Sequence, residues 1–506
     1  MTGAYLARLT VHGAVDTKPL HPSTEVFVIP SKLLIDGKFV DAASGKTFDT
    51  VNPANEEVTA KVAEAGVEDV ERAVKAARKA FDEGPWPKMA PAERGKVLKR
   101  IAEGMRKNLA ELADLETADT GKTLFDSGKI EVPFAAELFE YYGGWADKVY
   151  GETIPMKATA MGFVLREPMG VVGMITPWNF PLLLETWKVA PALAMGNTCI
   201  LKPAQMTPLT ALKLGEIAME AGLPEGVLNV IPGPGRAVGD AMVKHAGIDK
   251  ITFTGSTEVG KGVLRGCADT IKRVTVELGG KSPNIVFADA DVDAAIRGAL
   301  TGIFYNKGEV CAAGSRIFIE RSIYDQVSEG IAAKAKGMTI GDPREKTTRM
   351  GPVISKAQFD SVMKYIETGK KEGATVLAGG VKGDQQKGFF VQPTVFGNAT
   401  NQMAIAREEI FGPVATLIPF ENFDDVVRQA NDTLYGLAAG IWTKDIKKAL
   451  RAAKAVRAGT VWVNTYNMYD PGLPFGGFKQ SGFGRELGRH ALDGYTETKS
   501  VWIDLT

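Results

Sequence analysis

From Gly170 onward, short β-branched runs alternate with helical stretches, and this alternation restricts the fold more than any other feature of the chain. The runs "VVGMIT" (171–176), "TCILK" (198–202), "VLNVI" (227–231), "KITFT" (250–254) and "RVTVE" (273–277) read as strands. Between them, Thr207 to Ala221 and Gly235 to His245 read as helices. Parallel strands need a crossover and a helix supplies it, so the pattern predicts an α/β fold, a parallel doubly wound sheet with helices on both faces. A second series follows Gly280: "NIVFA", a helix over Val292 to Ile303, "RIFIE", a helix from Tyr324, then "TVLAG", "VATLIP", "LAAGIW" and "TVWVN". Two α/β domains joined near Glu277–Gly280 are expected.

Upstream, Val67, Val70, Val74, Ala77 and Phe81 recur every three or four positions, as on one face of a helix. Ala92 to Met105 and Leu109 to Ala118 read as two more helices. Residues 1–30 lack any period and read as a loosely held arm. The C-terminal "SVWIDL" alternates like a strand with no obvious partner nearby. An apolar edge of that kind invites aggregation unless another subunit covers it, so a homo-oligomer is expected.

Charge narrows the class of partner. Lys+Arg and Asp+Glu both number 60, so no basic excess points to nucleic acid. The three cysteines, Cys199, Cys267 and Cys311, make no disulfide framework and suit a reducing compartment. The N-terminus has neither a secretory pattern nor an arginine-rich transit pattern. The longest uncharged run, Pro168 to Leu184, is broken by Pro177, Asn179 and Pro181, so no membrane span is expected. A soluble, cytoplasmic protein follows from these readings. No Cys and His pair at ligand spacing, so no metal is expected.

"KITFTGSTEVGKG" (250–262) runs from a strand through Gly255 into a helix start, where free N–H groups and the dipole favour an anion. Gly255 to Lys261 fits phosphate-loop spacing, but Gly262 stands where a magnesium-binding Ser or Thr is required. A dinucleotide pyrophosphate fits better than a nucleotidase, although G-x-G-x-x-G is absent and "GPGRAVG" (233–239) has one residue too many. By itself "TGST" is also an ordinary helix cap.

Cys311, in "YNKGEVCAAGSR", follows a helix and lies among glycines. A thiolate there is a strong nucleophile whose neighbouring backbone N–H groups can hold an oxyanion, if a helix terminus or a cation makes it available near neutral pH. Most lone cysteines are instead small buried hydrophobes, and Cys199 and Cys267 read that way. Glu277, ending a strand beside Gly279 and Gly280, is placed to act as a base or to link domains. Asn179 in "TPWNFP" could donate to an oxyanion or merely make a turn. Lys202 could reach a ribose or face solvent. His12, His21, His245 and His490 all lie outside these motifs, which leaves a cysteine hydrolase without its histidine.

The motifs gain meaning from their order. "TPWNFP", "LKPA", "FTGSTEVG", "VELGGKSPNIV", a Cys in "G-x-x-C-x-A-G-S-R", "EEIFGPV" and "PFGGFKQSGFGRE" follow one another. Together they resemble the NAD(P)-dependent aldehyde dehydrogenase superfamily, in its acid-forming branch, from about Leu34 to the C-terminus. The resemblance implies that Cys311 is the nucleophile, that Asn179 and the Cys311 N–H hold the oxyanion, and that Glu277 activates the hydrolytic water. Relatives that transfer the acyl group to coenzyme A lack a glutamate at that position. Lys188 and Glu486 match positions that relay a proton outward.

For the cofactor, NAD with some use of NADP, the resemblance implies contacts from Ile175, Pro177, Trp178, Lys202, Gln205, Gly235, Gly239, Phe253, Gly255, Ser256, Leu278, Gln358, Glu409 and Phe411. Gln205 departs from many NAD-preferring members, which carry a glutamate there. Phe180, Leu184, Trp187, Val310, Ala312, Tyr466, Tyr469 and Phe475 match the wall of the aldehyde tunnel. That wall is apolar and aromatic and has no arginine for a second carboxylate, so an aromatic or medium-to-long apolar aldehyde is expected. An aminoaldehyde is the alternative, because aromatic faces attract ammonium groups. A non-catalytic structural relative would not need Cys311, Glu277 and Asn179 intact. By the same resemblance, residues 31–149 and 169–279 form the NAD(P)-binding domain and 280–480 the catalytic domain. Residues 150–168 and 481–506 form an oligomerisation arm and tail, giving a dimer or tetramer.

Overall fold

The computed structural model describes residues 31–506. The arm expected over residues 1–30, with His12 and His21, lies outside the described residues. Five strands, Val171–Ile175, Thr198–Lys202, Leu228–Val230, Lys250–Thr254 and Arg273–Glu277, occupy the expected runs and pair in parallel. Val171–Ile175 is the central strand. Thr198–Lys202 and then Leu228–Val230 lie on one side of it, and Lys250–Thr254 and then Arg273–Glu277 on the other. The winding therefore reverses direction between Val171–Ile175 and Lys250–Thr254, and ligands of such sheets bind in the crevice at the carboxyl ends there. In register, Ile175 is opposite both Phe253 and Lys202, and Thr254 is opposite Glu277, so these residues share one edge.

The sheet is not wholly parallel. Leu33–Ile35 pairs antiparallel with Leu228–Val230 through Leu34 and Val230, and Lys38–Val40 folds back on it. The turn between those two strands uses Asp36 (φ 51) and Gly37 (φ 71), both left-handed, the geometry that a two-residue hairpin demands. On the opposite edge, Gly482–Phe483 runs antiparallel to Val276–Glu277.

A second, seven-stranded sheet holds Pro283–Val286, Arg316–Glu320, Val414–Phe420, Ala438–Trp442 and Thr460–Val463 in parallel. Thr394–Gly397, a strand not legible beforehand, joins it beside Val414–Phe420 and pairs antiparallel with Thr375–Ala378. Because Glu277 ends one sheet and Pro283 opens the other, the segment between them spans both cores. The helix Pro181–Ala194 is buried along its whole length, and for this reason its charged residues, Glu185 and Lys188, point into protein.

The C-terminal strand does have a partner within the chain. Thr496–Asp504 pairs antiparallel with Ala160–Pro168 along its full length, from Thr496 opposite Pro168 to Asp504 opposite Ala160. Glu152–Ile154 completes this three-stranded sheet, leaving Trp502 65% exposed and Ile154 43% exposed. No helix among the described residues is long and apolar enough to cross a membrane.

Candidate active site

The loop carrying Cys311 is shaped by three consecutive left-handed residues, Asn306 (φ 44), Lys307 (φ 58) and Gly308 (φ 77), that turn the chain out of the helix Val292–Phe304. Left-handed Asn and Lys persist only where surrounding bonds over-determine them. Here Lys307 Nζ donates to Thr120 O at 3.0 Å and Asn306 Oδ1 at 2.8 Å, and pairs with Glu309 at 3.1 Å. Glu309 Oε1 in turn accepts from the Ile354 N–H at 2.9 Å. The same loop closes on the segment after Leu278. A side chain at Gly280 would come within 2.2 Å of the Cys311 carbonyl oxygen, so only glycine allows the two backbones to meet.

Asn179 is anchored into this loop. Its Nδ2 donates to Glu309 O at 2.9 Å, and its own carbonyl accepts from Asn306 Nδ2 at 2.8 Å and Lys122 Nζ at 3.0 Å. An amide nitrogen carries two hydrogens, so one remains for a ligand oxygen. Lys122 also bridges the buried carboxylates of Glu116 and Glu131, and its ammonium lies 4.6 Å from the Phe180 ring centroid. Sequence reasoning missed Lys122, Lys307 and Glu309. Single lysines and glutamates in "TGKT" and "NKGEV" carry no pattern that separates a buried ion network from a solvated surface.

Of the three cysteines, Cys311 alone keeps partial exposure; Cys199 lies buried in a strand and Cys267 buried in a helix, as expected of packing residues. Among the described residues, no cation is one of the groups that act on Cys311. Burial, then the carboxylates of Glu409 and Glu277, push its thiol up to about 12, and only the Ala312 N–H opposes them. At rest Cys311 is a thiol that needs a base.

Glu277 is one of the carboxylates close enough to act on that thiol. Both its carboxylate oxygens are buried and make no hydrogen bond among the described residues. Burial first, and the nearby Glu486 carboxylate second, raise it well above the usual carboxylate range, against Lys188 and Arg485. The carboxylate lies against Gly476, where a Cβ would come within 2.8 Å of Oε1. Beyond it, Lys188 Nζ pairs with Glu486 Oε1 and donates to Thr254 Oγ1 at 2.7 Å. The predicted Glu277, Glu486 and Lys188 are thus brought together.

At the winding reversal, Ile175, Phe253 and Lys202, all expected to meet a cofactor, share the carboxyl edge of the sheet. Ser256 caps the helix Thr257–Ala268 by accepting from the Val259 N–H at 3.4 Å, and Gly255 donates its N–H to Glu277 O at 3.1 Å. A Cβ on Gly255 would strike the Phe253 ring at 2.5 Å. Across from them, Gly239 faces only Ile175, at 3.8 Å from its absent Cβ, and Gly235 faces open space. Lys202 Nζ is buried, pushed down to about 8 by that burial, and donates only to Pro203 O among the described residues, so two of its hydrogens are spare.

Toward Cys311, Glu409 Oε1 accepts from the Gly280 N–H at 2.9 Å, and Oε2 occupies the space a Gly279 side chain would fill. Burial pushes Glu409 up to about 7. Gln358 Nε2 donates to Phe411 O at 2.6 Å, holding a left-handed Phe411 (φ 57) edge-on to Trp178, ring centroids 5.2 Å apart. Pro177 and Trp178 are partly exposed, whereas Leu278 is buried against the helix glycine Gly260. A glycine-lined cradle, a free helix start, spare ammonium hydrogens and an acceptor carboxylate fit a dinucleotide.

The aromatic wall forms one contiguous group. Trp187 meets Phe475 at 5.3 Å and Tyr469 at 5.8 Å, Tyr469 meets Phe475 at 5.6 Å, and Trp462 bridges Tyr466 at 4.8 Å and Tyr469 at 5.6 Å. Tyr466 hydroxyl donates to Ala312 O at 2.9 Å, tying this group to the residue after Cys311. Leu184 and Val310 are buried in the same core. Phe180 stacks on Tyr305 at 5.9 Å, and the Tyr305 hydroxyl donates to Glu131 at 2.9 Å. Tyr305 was missed because its aromatic ring sits in a stretch read only for its glycines.

These features have counterparts in known proteins. Residues 39–501 match the aldehyde dehydrogenase family. Aldehyde dehydrogenase family 2 member B4, a mitochondrial protein of Arabidopsis thaliana, is 50% identical over 99% of this chain and 92% of its own. The mitochondrial benzaldehyde dehydrogenase of Antirrhinum majus is 48% identical over 97% of this chain and 92% of its own. The NAD+ complex of an aldehyde dehydrogenase from Bacillus cereus superposes with a TM-score of 0.93 at 49% identity, covering 94% of this chain and 97% of that one. Matched over residues 39–501 by the family as a whole, over nearly its full length by relatives at about half identity, and in fold, the chain belongs to the aldehyde dehydrogenase family.

Proposed function

We propose that the protein oxidises an aldehyde to its carboxylic acid with NAD(P), through an acyl group carried on Cys311. The observation that carries this reading is the unpaired Glu277 carboxylate, buried beside a Cys311 thiol that cannot ionise unaided. Glu277 removes the thiol proton, and the sulfur attacks the carbonyl carbon. As the C–S bond forms, the carbonyl electrons move to oxygen, and that oxyanion meets the spare Asn179 Nδ2 hydrogen and the Cys311 N–H. Such a donor supplies about 3 kcal/mol of transition-state stabilisation. When bound along Lys202, Ser256 and Glu409, NAD(P) supplies the hydride acceptor that turns the adduct into a thioester. Once Glu277 has passed the thiol proton on, it takes a proton from water; the resulting hydroxide attacks the thioester, the C–S bond breaks, and the acid departs as sulfur recovers that proton from Glu277. Glu486 and Lys188, behind Glu277, carry the surplus proton away. Aldehyde-dependent NADH formation, abolished by Cys311→Ala, tests the reading; an active alanine variant would refute it.

The wall of Trp187, Tyr469, Phe475 and Phe180 supports an aromatic or medium-to-long apolar aldehyde, since flat rings bury well against offset rings. An aminoaldehyde is the second reading, favoured by the same faces as cation hosts. A panel of aldehydes decides; an acidic semialdehyde ranking first would contradict both. The cofactor is NAD with measurable NADP use, because Gln205 lacks the charge that would reject a 2′-phosphate. The eight-stranded sheet serves as the cofactor unit (31–149 with 169–279) and the seven-stranded sheet as the catalytic unit (280–480). Segments 150–168 and 481–506 serve as the arm and tail of a homo-oligomer in the cytoplasm, with exposed Trp502 and Ile154 supporting association. Light scattering at a monomer mass would exclude that assembly.

A further inference from the structure

Gln205 does not stand alone past the end of the Thr198–Lys202 strand. Its Nε2 donates to Glu64 Oε2 at 3.3 Å. Glu64 follows the strand Val58–Ala63 and is held by its backbone, its N–H donating to Lys46 O at 2.8 Å. The next N–H, of Ala65, donates to Pro232 O at 2.9 Å. That bond ties the Glu64 segment to the turn entering Gly233–Gly235, where a Cβ on Gly233 would come within 2.7 Å of Ala65 O. Glu64 and Gln205 are both partly exposed, so both can meet a ligand.

In doubly wound folds the carboxylate that binds the adenosine ribose lies at the carboxyl end of the second strand. Here Thr198–Lys202 is that strand, and the loop after it offers an amide instead. We propose that Glu64 supplies the missing carboxylate from outside the strand and sets the preference for NAD over NADP. This rests on the dinucleotide reading above. Glu64 acts in two ways. Its charge repels a 2′-phosphate. It also engages one of the two Gln205 Nε2 hydrogens, which orients Gln205 and leaves its Oε1 as an acceptor that matches a 2′-hydroxyl. The spare hydrogens of Lys202 work in the other direction, which keeps NADP a usable second cofactor.

The test compares kcat/KM, and the Kd from tryptophan-fluorescence titration without aldehyde, for NADP and for NAD in the full chain and in Glu64→Gln, Glu64→Asp and Gln205→Glu. Glu64→Gln raises the NADP-to-NAD ratio about tenfold or more, the effect of removing one repelling charge. Glu64→Asp, which keeps the charge, moves it less. Gln205→Glu lowers the ratio. If Gln205→Glu lowers it while Glu64→Gln leaves it unchanged, the role of Glu64 is overturned and the ribose position stands. If neither changes it, the ribose lies elsewhere and the proposal falls with that placement. Failure of the unaltered enzyme to use either cofactor would overturn the dinucleotide reading itself.

Discussion

The Asn179 side chain donates at 2.9 Å to the carbonyl of Glu309, two residues before Cys311, so the proposed oxyanion donor and nucleophile are positioned by one loop. The bond spends one amide hydrogen on position and leaves the other for chemistry. Asn179→Ala removes both, whereas Asn179→Asp keeps the shape and replaces the donor with a repelling charge.

Both variants should lower kcat/KM by roughly 100-fold or more, the usual cost of one oxyanion donor. Steady-state kinetics on any accepted aldehyde measures this. Equal activity in Asn179→Asp would show that the amide stabilises no oxyanion.

The pH profile follows from two groups displaced upward. Burial, Glu409 and Glu277 hold the Cys311 thiol up to about 12, and burial with Glu486 holds Glu277 well above the usual range. Glu277 acts as the carboxylate that takes the Cys311 proton, so kcat/KM should rise with pH as Glu277 ionises. Glu277→Gln should flatten the Glu277 part of that rise. A profile already level at neutral pH would contradict the assignment.

Lys122 bridges Glu116 and Glu131 while holding the Asn179 carbonyl at 3.0 Å. Lys122→Met leaves two buried carboxylates without their cation, which should cost about 3–5 kcal/mol of stability. Burial already raises Glu131, so it can protonate at low pH, and the deficit should widen as pH rises. Urea denaturation at acid and alkaline pH tests both parts.

Glu185 lies on the wholly buried helix Pro181–Ala194 with both carboxylate oxygens unpartnered among the described residues. Burial, then Glu116 and Asp119, raise it well above its usual range. A raised acid favours the folded state fully below its unfolded pKa, and that contribution is lost as pH climbs toward the folded value. Glu185→Gln removes the dependence, so its advantage in Tm should grow from about pH 5 to about pH 8, reaching about 1 °C or more. A constant difference would mean that Glu185 finds a partner.

Much of this architecture was legible. Runs such as "KITFT" and "VVGMI" are buried on both faces, so β-branched residues fill them without interruption. What hid from the sequence was non-local. The partner of Thr496–Asp504 lies at Ala160–Pro168, hundreds of residues upstream, and no local period announces it. The Asp36–Gly37 hairpin could have been read from its D-G pair and was passed over. Cys311, Asn179 and Glu277 emerged only from the order of their motifs. The thiol's resistance to ionising depends on burial first and then on the carboxylates of Glu409 and Glu277, all of which folding alone supplies.

The same distinction governs the ribose end. A neutral Gln205 was visible in "LKPAQ", but Glu64 reaches it only through a hairpin packed against the Pro232 turn.

The division of labour between Cys311 and Glu277 is tested most directly by single-turnover analysis of Glu277→Gln with NAD and an accepted aldehyde, over an incubation long enough for the thiol to react without its base. Intact-mass spectrometry should find an acyl group on Cys311, with about one equivalent of NADH formed per site and steady turnover reduced at least 100-fold. Full multiple turnover without an adduct, or an adduct on any other residue, would contradict the account.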